Sequence, residues 1–465
     1  MNMINVRRLT VMTFLRSGML SGISAQVSPL QVDTLKETKI PDQWDLQSCI
    51  DYAKEQNITI RKNRITAAST QIDVKTAKAA LFPSLSFSTG HQVVNRPYQE
   101  TSSRVSGSEI ISSNSKTSYN GNYGLNASWT LYNGNKRLKT IQQEKLNNQM
   151  AELDVATSEN NIQESIAQVY IQILYAAESV KVNENTLQVS IAQRDRGQEL
   201  LNAGSIAKSD LAQLEAQVST DRYQLVTAQA TLEDYKLQLK QLLELDGENE
   251  MNIYLPALSD ENVLAPLPTK RDVYISALSL RPEIEASKLN VEASELGINI
   301  AKSSYFPTIS LSAGIGTNHT SGSDFTFGEQ VKNGWNNSIG LSVSVPIFNN
   351  RQTKSAVQKA KLQYETSMLS LLDEQKALYK TIESLWLDAN SAQQRYAAAN
   401  EKLKSTQISY ELISEQFNLG MKNTVELLTE KNNLLQAQQE QLQAKYMAIL
   451  NTQLLKFYQG DQLAL

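Results

Sequence analysis

Two carboxylates in this sequence sit at matching positions. Asp210 lies six residues after Gly204, and Glu426 lies six residues after Gly420. Ser209 immediately precedes the first acid, and Lys422 lies four residues before the second. Such groups can pair with cations or hold hydrogen bonds across a contact. An acid in the first turn of a helix also meets the positive end of the helix dipole, and the two readings are compatible. Other chemistry is poorly supplied. The 465 residues include one cysteine, Cys49, and two histidines, His91 and His319. That excludes an intrachain disulfide or a cysteine cluster for zinc, and the histidines are too few to build a metal site alone. No nucleophile–base constellation or phosphate-cradling glycine loop stands out, so we expect no enzymatic activity, no cofactor and no metal. The net charge of −4, without a basic stripe, argues against a nucleic-acid partner.

The paired acids follow two unusually long helix-compatible runs. From Asn336 the residues Ile339, Leu341, Val343, Val345 and Ile347 alternate with small or polar neighbours, the period-2 signature of a two-faced strand. Pro346, Asn349 and Asn350 break the run, and from Arg351 to Asn418 neither proline nor glycine occurs. At 1.5 Å per residue that segment allows a helix roughly 100 Å long, where the average globular helix has only about 11–12 residues. The design occurs earlier as well. Tyr123, Leu125, Ala127, Trp129 and Leu131 alternate, Asn133-Gly134-Asn135 breaks the strand, and a second run extends from Lys136 to Leu201. The chain is therefore an internal duplication.

Taken in order, residues 1–25 read as an export signal, with Arg7 and Arg8 before a short apolar run and small residues ending at Ala25. A polar leader covers 26–41. The first repeat, 42–247, opens with Trp44 and the helix cap Asp45. It is expected to hold a helix over 46–81, strands at 84–91 and 119–132 separated by a long loop at 92–118, the long helix, and a helix from Ser209 to Leu245. A proline-containing linker at 248–270 joins the halves. The second repeat, 271–460, is expected to hold a helix over 271–305 interrupted near Pro282, strands at 308–316 and 336–347 around a loop at 317–335, the second long helix, and a last helix after Gly420. Residues 461–465 form a tail. Phe306-Pro307 repeats Phe82-Pro83, and Asn418-Leu419-Gly420 repeats Asn202-Ala203-Gly204.

No stretch of about 20 apolar residues occurs, so only strands could place this chain in a membrane. Each predicted strand has about the length needed to cross a bilayer obliquely. Four strands cannot close a barrel, and unpaired edges cannot sit in lipid, so closure needs several copies of the chain. Two copies would give a filled eight-stranded barrel, and three would give twelve strands with room for a lumen.

The duplicated halves, the Phe-Pro pairs before outgoing strands, Pro346-Ile347-Phe348-Asn349 before a long helix, Gly420 at a helical turn, and Trp44-Asp45-Leu46 through Tyr52-Ala53 together resemble the TolC-like outer membrane factor (outer membrane efflux protein) family. The resemblance covers about residues 42–460; Thr130-Leu131-Tyr132-Asn133 departs from it in lacking the proline. It implies a mainly α fold with a transmembrane β part. Duplicated helix–hairpin–helix repeats would give four strands per chain to a 12-stranded trimeric β-barrel, continued by an α-helical coiled-coil tunnel through the periplasm. It further implies a homotrimer in outer membrane lipid, docked on a periplasmic adaptor (membrane fusion) protein and an inner-membrane pump. By position within that family, Gly204, Ser209, Asp210, Gly420, Lys422 and Glu426 are the candidates for the periplasmic gate and tip, and Glu426 would form a threefold ring attractive to cations. Trp129 and Trp335 fit either interfacial anchors or ordinary packing. The function implied is the exit duct of a tripartite efflux or type I secretion system. A periplasmic coiled-coil adaptor or structural adhesin is the alternative, which leaves the strand hairpins and the duplication unexplained.

Overall fold

The computed structural model describes residues 41–98, 102–106, 109–113, 116–246, 251–256, 263–321 and 325–464. The expected export signal, nearly all of the leader and parts of the linker at 248–270 lie outside the described residues. The first half comprises helices α1 (Leu46–Gln56) and α2 (Ile58–Ala79), strands β1 (Ser84–Asn95), β2 (Ser102–Ser106), β3 (Glu109–Ser113) and β4 (Thr117–Asn133), then helices α3 (Lys136–Asn202) and α4 (Lys208–Leu242). The second half comprises α5 (Lys270–Leu280), α6 (Pro282–Lys302), β5 (Thr308–Thr320), a short helix α7 (Phe327–Asn333), β6 (Asn336–Ser344), α8 (Gln352–Asn418) and α9 (Thr424–Gln459).

The two longest helices have 67 residues each; neither contains proline, and the single glycine, Gly197, lies buried in the last turns of α3 without breaking it. The single helix expected over 46–81 is instead two. Asn57 leaves the helical region (ψ 127°) and its side chain accepts a hydrogen bond from Thr59 N at 2.9 Å, so it ends α1 and caps α2. The second half breaks at the corresponding place. Arg281 is extended (ψ 123°) because the following Pro282 disfavours helical geometry before it. Both loops between strands also contain structure. The segment 92–118 holds the ends of β1 and β4 and the β2–β3 hairpin, and 317–335 holds the end of β5 and α7. Helix α7 is opened by a reciprocal cap in which Thr326 Oγ1 accepts from Glu329 N while Glu329 accepts from Thr326 N at 2.8 Å. Strand β6 ends at Ser344, short of the expected 347.

The four long strands form one antiparallel sheet in the order β1-β4-β5-β6. Its register sorts residue types by face. Leu85, Ala127, Ala313 and Ile339 form one cross-strand row, and Phe87, Leu125 and Ile315 form another on the same side. The alternate rows are Ser84, Ser128, Ser312 and Gly340, and Ser86, Asn126, Gly314 and Ser338. One face is mainly apolar, with Asn337 of β6 opposite Ile315, and the other is polar or bare backbone. A bulge between Thr130 and Tyr132 interrupts the ladder with β5 near the end of β4. Below the sheet, Trp129 Nε1 donates to Leu81 O at 2.7 Å and Arg137 Nη1 to Ala80 O at 2.6 Å, satisfying carbonyls at the end of α2. Trp129 is thus bound into the helix–strand junction.

The main core lies where helices of both halves meet. Trp44, Cys49, Ile50 and Ala53 pack with Ile166, Tyr170 and Ile173 of α3 and with Ala448 and Leu454 of α9. Trp44 pairs with the inter-repeat segment, donating from its N to Asn252 O and accepting at its O from Tyr254 N, each at 2.8 Å. Val273, Ala277 and Ile284 make a second core with Leu378, Ile382 and Ala389 of α8. Arg281, at the α5–α6 break, stacks 3.6 Å from the Tyr458 ring centroid and pairs with Glu164 at 2.5 Å, tying the halves together.

Candidate functional site

The acids at 210 and 426 fall at two turns of one design. Helix α3 ends with Gly204 at φ +74°; Ser205 N donates to Leu200 O and Gly204 N to Leu201 O. Helix α8 ends with Gly420 at φ +74°; Met421 N donates to Gln416 O and Gly420 N to Phe417 O. Both are Schellman turns, in which the left-handed residue lets two amides reach back to carbonyls the helix end leaves unpaired. A Cβ on either glycine would meet nothing within 4 Å, so backbone conformation rather than crowding within the chain demands glycine. Each turn leads at once into an antiparallel helix, giving the hairpins α3–α4 and α8–α9.

The first turns of α4 and α9 then differ. Asn423 accepts at its side chain from Glu426 N at 2.9 Å, and Glu426 accepts from Asn423 N at 3.2 Å, a complete capping box. Lys422 Nζ lies 2.6 Å from Glu426 Oε1. The hydrogen bond from Lys422 and the backbone bond from Asn423 lower the Glu426 pKa from its ordinary value. At the first hairpin the cap position is Ala207, which has no side-chain acceptor, so only Asp210 completes its half, accepting from Ala207 N at 3.0 Å. Ile206 takes the place that Lys422 holds in the second. Ser209 is exposed and Asp210 half-buried. Within the chain both acids are thus used by their own helix ends, and the structure brings together Lys422 with Glu426 but records no bond between Asp210 and Glu426.

A second polar group at these hairpins escaped sequence reasoning. Lys431 of α9, Asp221 of α4 and Ser190 of α3 meet at the seam between the hairpins, with 3%, 2% and 2% of their surfaces exposed. Lys431 Nζ donates to Asp221 Oδ2 and to Ser190 Oγ, and Ser190 Oγ donates to the same carboxylate oxygen. The other oxygen, Asp221 Oδ1, accepts from Gln217 Nε2 at 2.9 Å. Burial pushes the Lys431 pKa down, and Asp221 opposes that shift. The signal was available: Lys431 stands four residues after Leu427 and three before Leu434, a seam position where an apolar residue is the rule.

The chain thus joins a four-stranded sheet with an apolar and a polar face directly to two long helical hairpins. The sequence matches the outer membrane efflux protein family over residues 49–244 and 273–460. The chain belongs to that family, and its place is the outer membrane. It is 24% identical to the outer membrane efflux protein BepC of Brucella suis biovar 1 over 63% of this chain and 61% of that one, so the match spans about three fifths of that relative's length. Toxin and drug export protein A of Aggregatibacter actinomycetemcomitans is 22% identical over 89% of this chain and 87% of its own. Among solved structures, the CusC channel superposes with a TM-score of 0.75 at 19% identity, covering 90% of this chain and 92% of CusC. The mostly helical fold with its strand hairpins is that of outer membrane channels.

Proposed function

We propose that the chain is one of three identical subunits of an outer membrane exit duct serving a tripartite efflux or type I secretion system. The observation that carries this reading is the β1-β4-β5-β6 sheet. Its apolar face is uncovered, with Ile339 84% and Leu341 64% exposed on the edge strand β6, and among the described residues β1 and β6 have no strand on their outer sides. An open apolar sheet is stable in neither water nor lipid. Pairing β6 of one copy with β1 of the next removes the edges, and three copies give a 12-stranded barrel with apolar residues towards lipid and Ser, Asn and Gly towards the lumen. The 67-residue helices would continue that lumen as a periplasmic tunnel. The name of the relative that exports toxin and drugs fits a duct serving either route.

Gly204, Ser209, Asp210, Gly420, Lys422 and Glu426 then mark the periplasmic end, where an adaptor and an inner-membrane pump would dock and where the acids would line a gate. Threefold repetition would turn Glu426 into a ring that holds cations. The alternative of a coiled-coil adaptor or adhesin gives no role to a two-faced sheet. The test is extraction and conduction. The protein should need detergent for solubility and form discrete ion-conducting channels in planar bilayers, and Asp210→Ala with Glu426→Ala should raise their conductance and weaken block by multivalent cations. Solubility without detergent would overturn the duct; unchanged conductance and block would remove these acids from the gate.

A further inference from the structure

The duct reading gives no role to the buried group of Ser190, Asp221 and Lys431. The two tip hairpins each have a continuous internal seam, but they meet each other chiefly along α3 and α9. Around the polar group each of the three helices buries apolar residues of its own seam. In α3 Leu187 precedes Ser190 by three residues; in α4 Leu214 and Val218 precede Asp221 by seven and three; in α9 Leu427 and Leu434 flank Lys431. All three polar residues therefore occupy the positions that face the seam, one from each of three helices, and they satisfy one another. Two weaker polar contacts lie alongside: Gln217 Nε2 donates to Asn432 Oδ1 at 3.4 Å, and Gln193 Nε2 to the Tyr410 hydroxyl at 2.8 Å.

Apolar seams tolerate sliding by one heptad or rotation by part of a turn, because leucines at equivalent positions offer nearly equivalent contacts. A buried ion pair does not. Sliding either hairpin would strand a charge in an apolar seam, which costs far more than the pair contributes to stability when formed. A polar residue at a core position of a coiled coil is used to fix register in this way.

We infer that Ser190, Asp221 and Lys431 are positioning residues that lock the register between the α3–α4 and α8–α9 hairpins and so hold the two tip turns, with Asp210 and Glu426, in one alignment. This rests on the duct reading for its consequence in conduction, but not for the alignment itself. The informative variant is Lys431→Met with Asp221→Leu, which replaces the pair by apolar groups of similar size. It should keep the wild-type melting temperature, because apolar packing restores what the pair supplied, while losing the single alignment. Lys431→Met alone should also lower the melting temperature by several degrees, because Asp221 is left buried and unpaired.

Spin labels at Lys208→Cys and Val425→Cys, both exposed, report the separation of the tips; Cys49 is fully buried and takes no label. The expected result in the detergent-solubilised full chain is a narrow distance distribution with the native pair and a distribution broadened or split in the apolar double variant. In bilayers one conductance level should become several. Unchanged distances in a double variant of wild-type stability would overturn the lock. Channels failing to form with native residues would count against the duct alone, since the distances still decide the lock.

Discussion

The two helical turns at Gly204 and Gly420 share a backbone and differ in chemistry. Each ends a 67-residue helix in a left-handed glycine at φ +74° and places an acid at the third position of the next helix. At the second turn Asn423 and Glu426 cap each other and Lys422 holds the carboxylate; at the first, Ala207 offers nothing and Ile206 replaces the cation. The backbone is what a hairpin of antiparallel helices cannot do without, whereas the side chains around it are free to specialise. A Schellman turn has few solutions for its left-handed residue, but a helix start tolerates a missing cap at a modest cost. The second turn therefore carries a fixed ion pair, while the first presents a carboxylate held on one side only. For a gate the two acids would not be equivalent: Asp210 is the freer to bind elsewhere.

Several substitutions would break or sharpen this contrast. The largest effect is expected where the hairpins meet rather than within either. Lys431→Met should cost about 3–5 kcal/mol in denaturant unfolding, the loss associated with stranding one charge of a buried pair. A loss under about 1 kcal/mol would mean that water reaches Asp221 and that the seam is not dry. Next come the glycines. Gly204→Ala and Gly420→Ala should each cost about 1–2 kcal/mol for a left-handed non-glycine residue, and equally, since neither Cβ meets another atom within 4 Å. An unequal loss, read in thermal melts of the two variants, would show that one turn is under a constraint the other lacks.

The caps should respond in opposite directions. Asn423→Ala should destabilise the start of α9 by about 1 kcal/mol, and Ala207→Asn, at a position already extended (φ −81°, ψ 159°), should stabilise α4 by a similar amount. Amide exchange at the first turns of the two helices would register both. The smallest effect concerns pH. Glu426 has a pKa below its ordinary value, so its folded form favours the charged carboxylate; that contribution is fully present above the ordinary glutamate range and is lost as pH falls through the lowered value. Acidification should therefore fray α9, and Lys422→Met should shift the fraying to higher pH. Fraying at an unchanged pH in that variant would remove Lys422 as the cause.

Much of this architecture was legible because it rests on periodicity and on punctuation. The strand at Asn336 and the long runs to Asn202 and Asn418 announced themselves through alternation and the lack of proline, and the paired glycines located both turns. The break at Asn57 was hidden because an asparagine after Lys54, Glu55 and Gln56 looks like one more residue of a polar helix face; only its partner at Arg281, followed by proline, carried a visible signal. Helix α7 had a signal in Thr326 and Glu329, the spacing of a capping box, set within a Gly- and Ser-rich stretch. The bonds of Glu426 to Lys422 and Asn423 follow from local spacing, as does the empty cap at Ala207. The meeting of Ser190, Asp221 and Lys431 does not. It joins residues separated by 31 and 210 positions, and only the packing of three helices brings them together.

The sheet and the hairpins lead to one requirement, that copies of this chain complete each other. The direct test is the mass of the protein purified in detergent, by light scattering with the micelle contribution subtracted. Three chains per particle, retained on dilution, is the predicted result, since it closes the strand edges and brings six helical turns to one end. A monomer with the same strand content would contradict it, because β1 and β6 would then have to satisfy their edges without a neighbour.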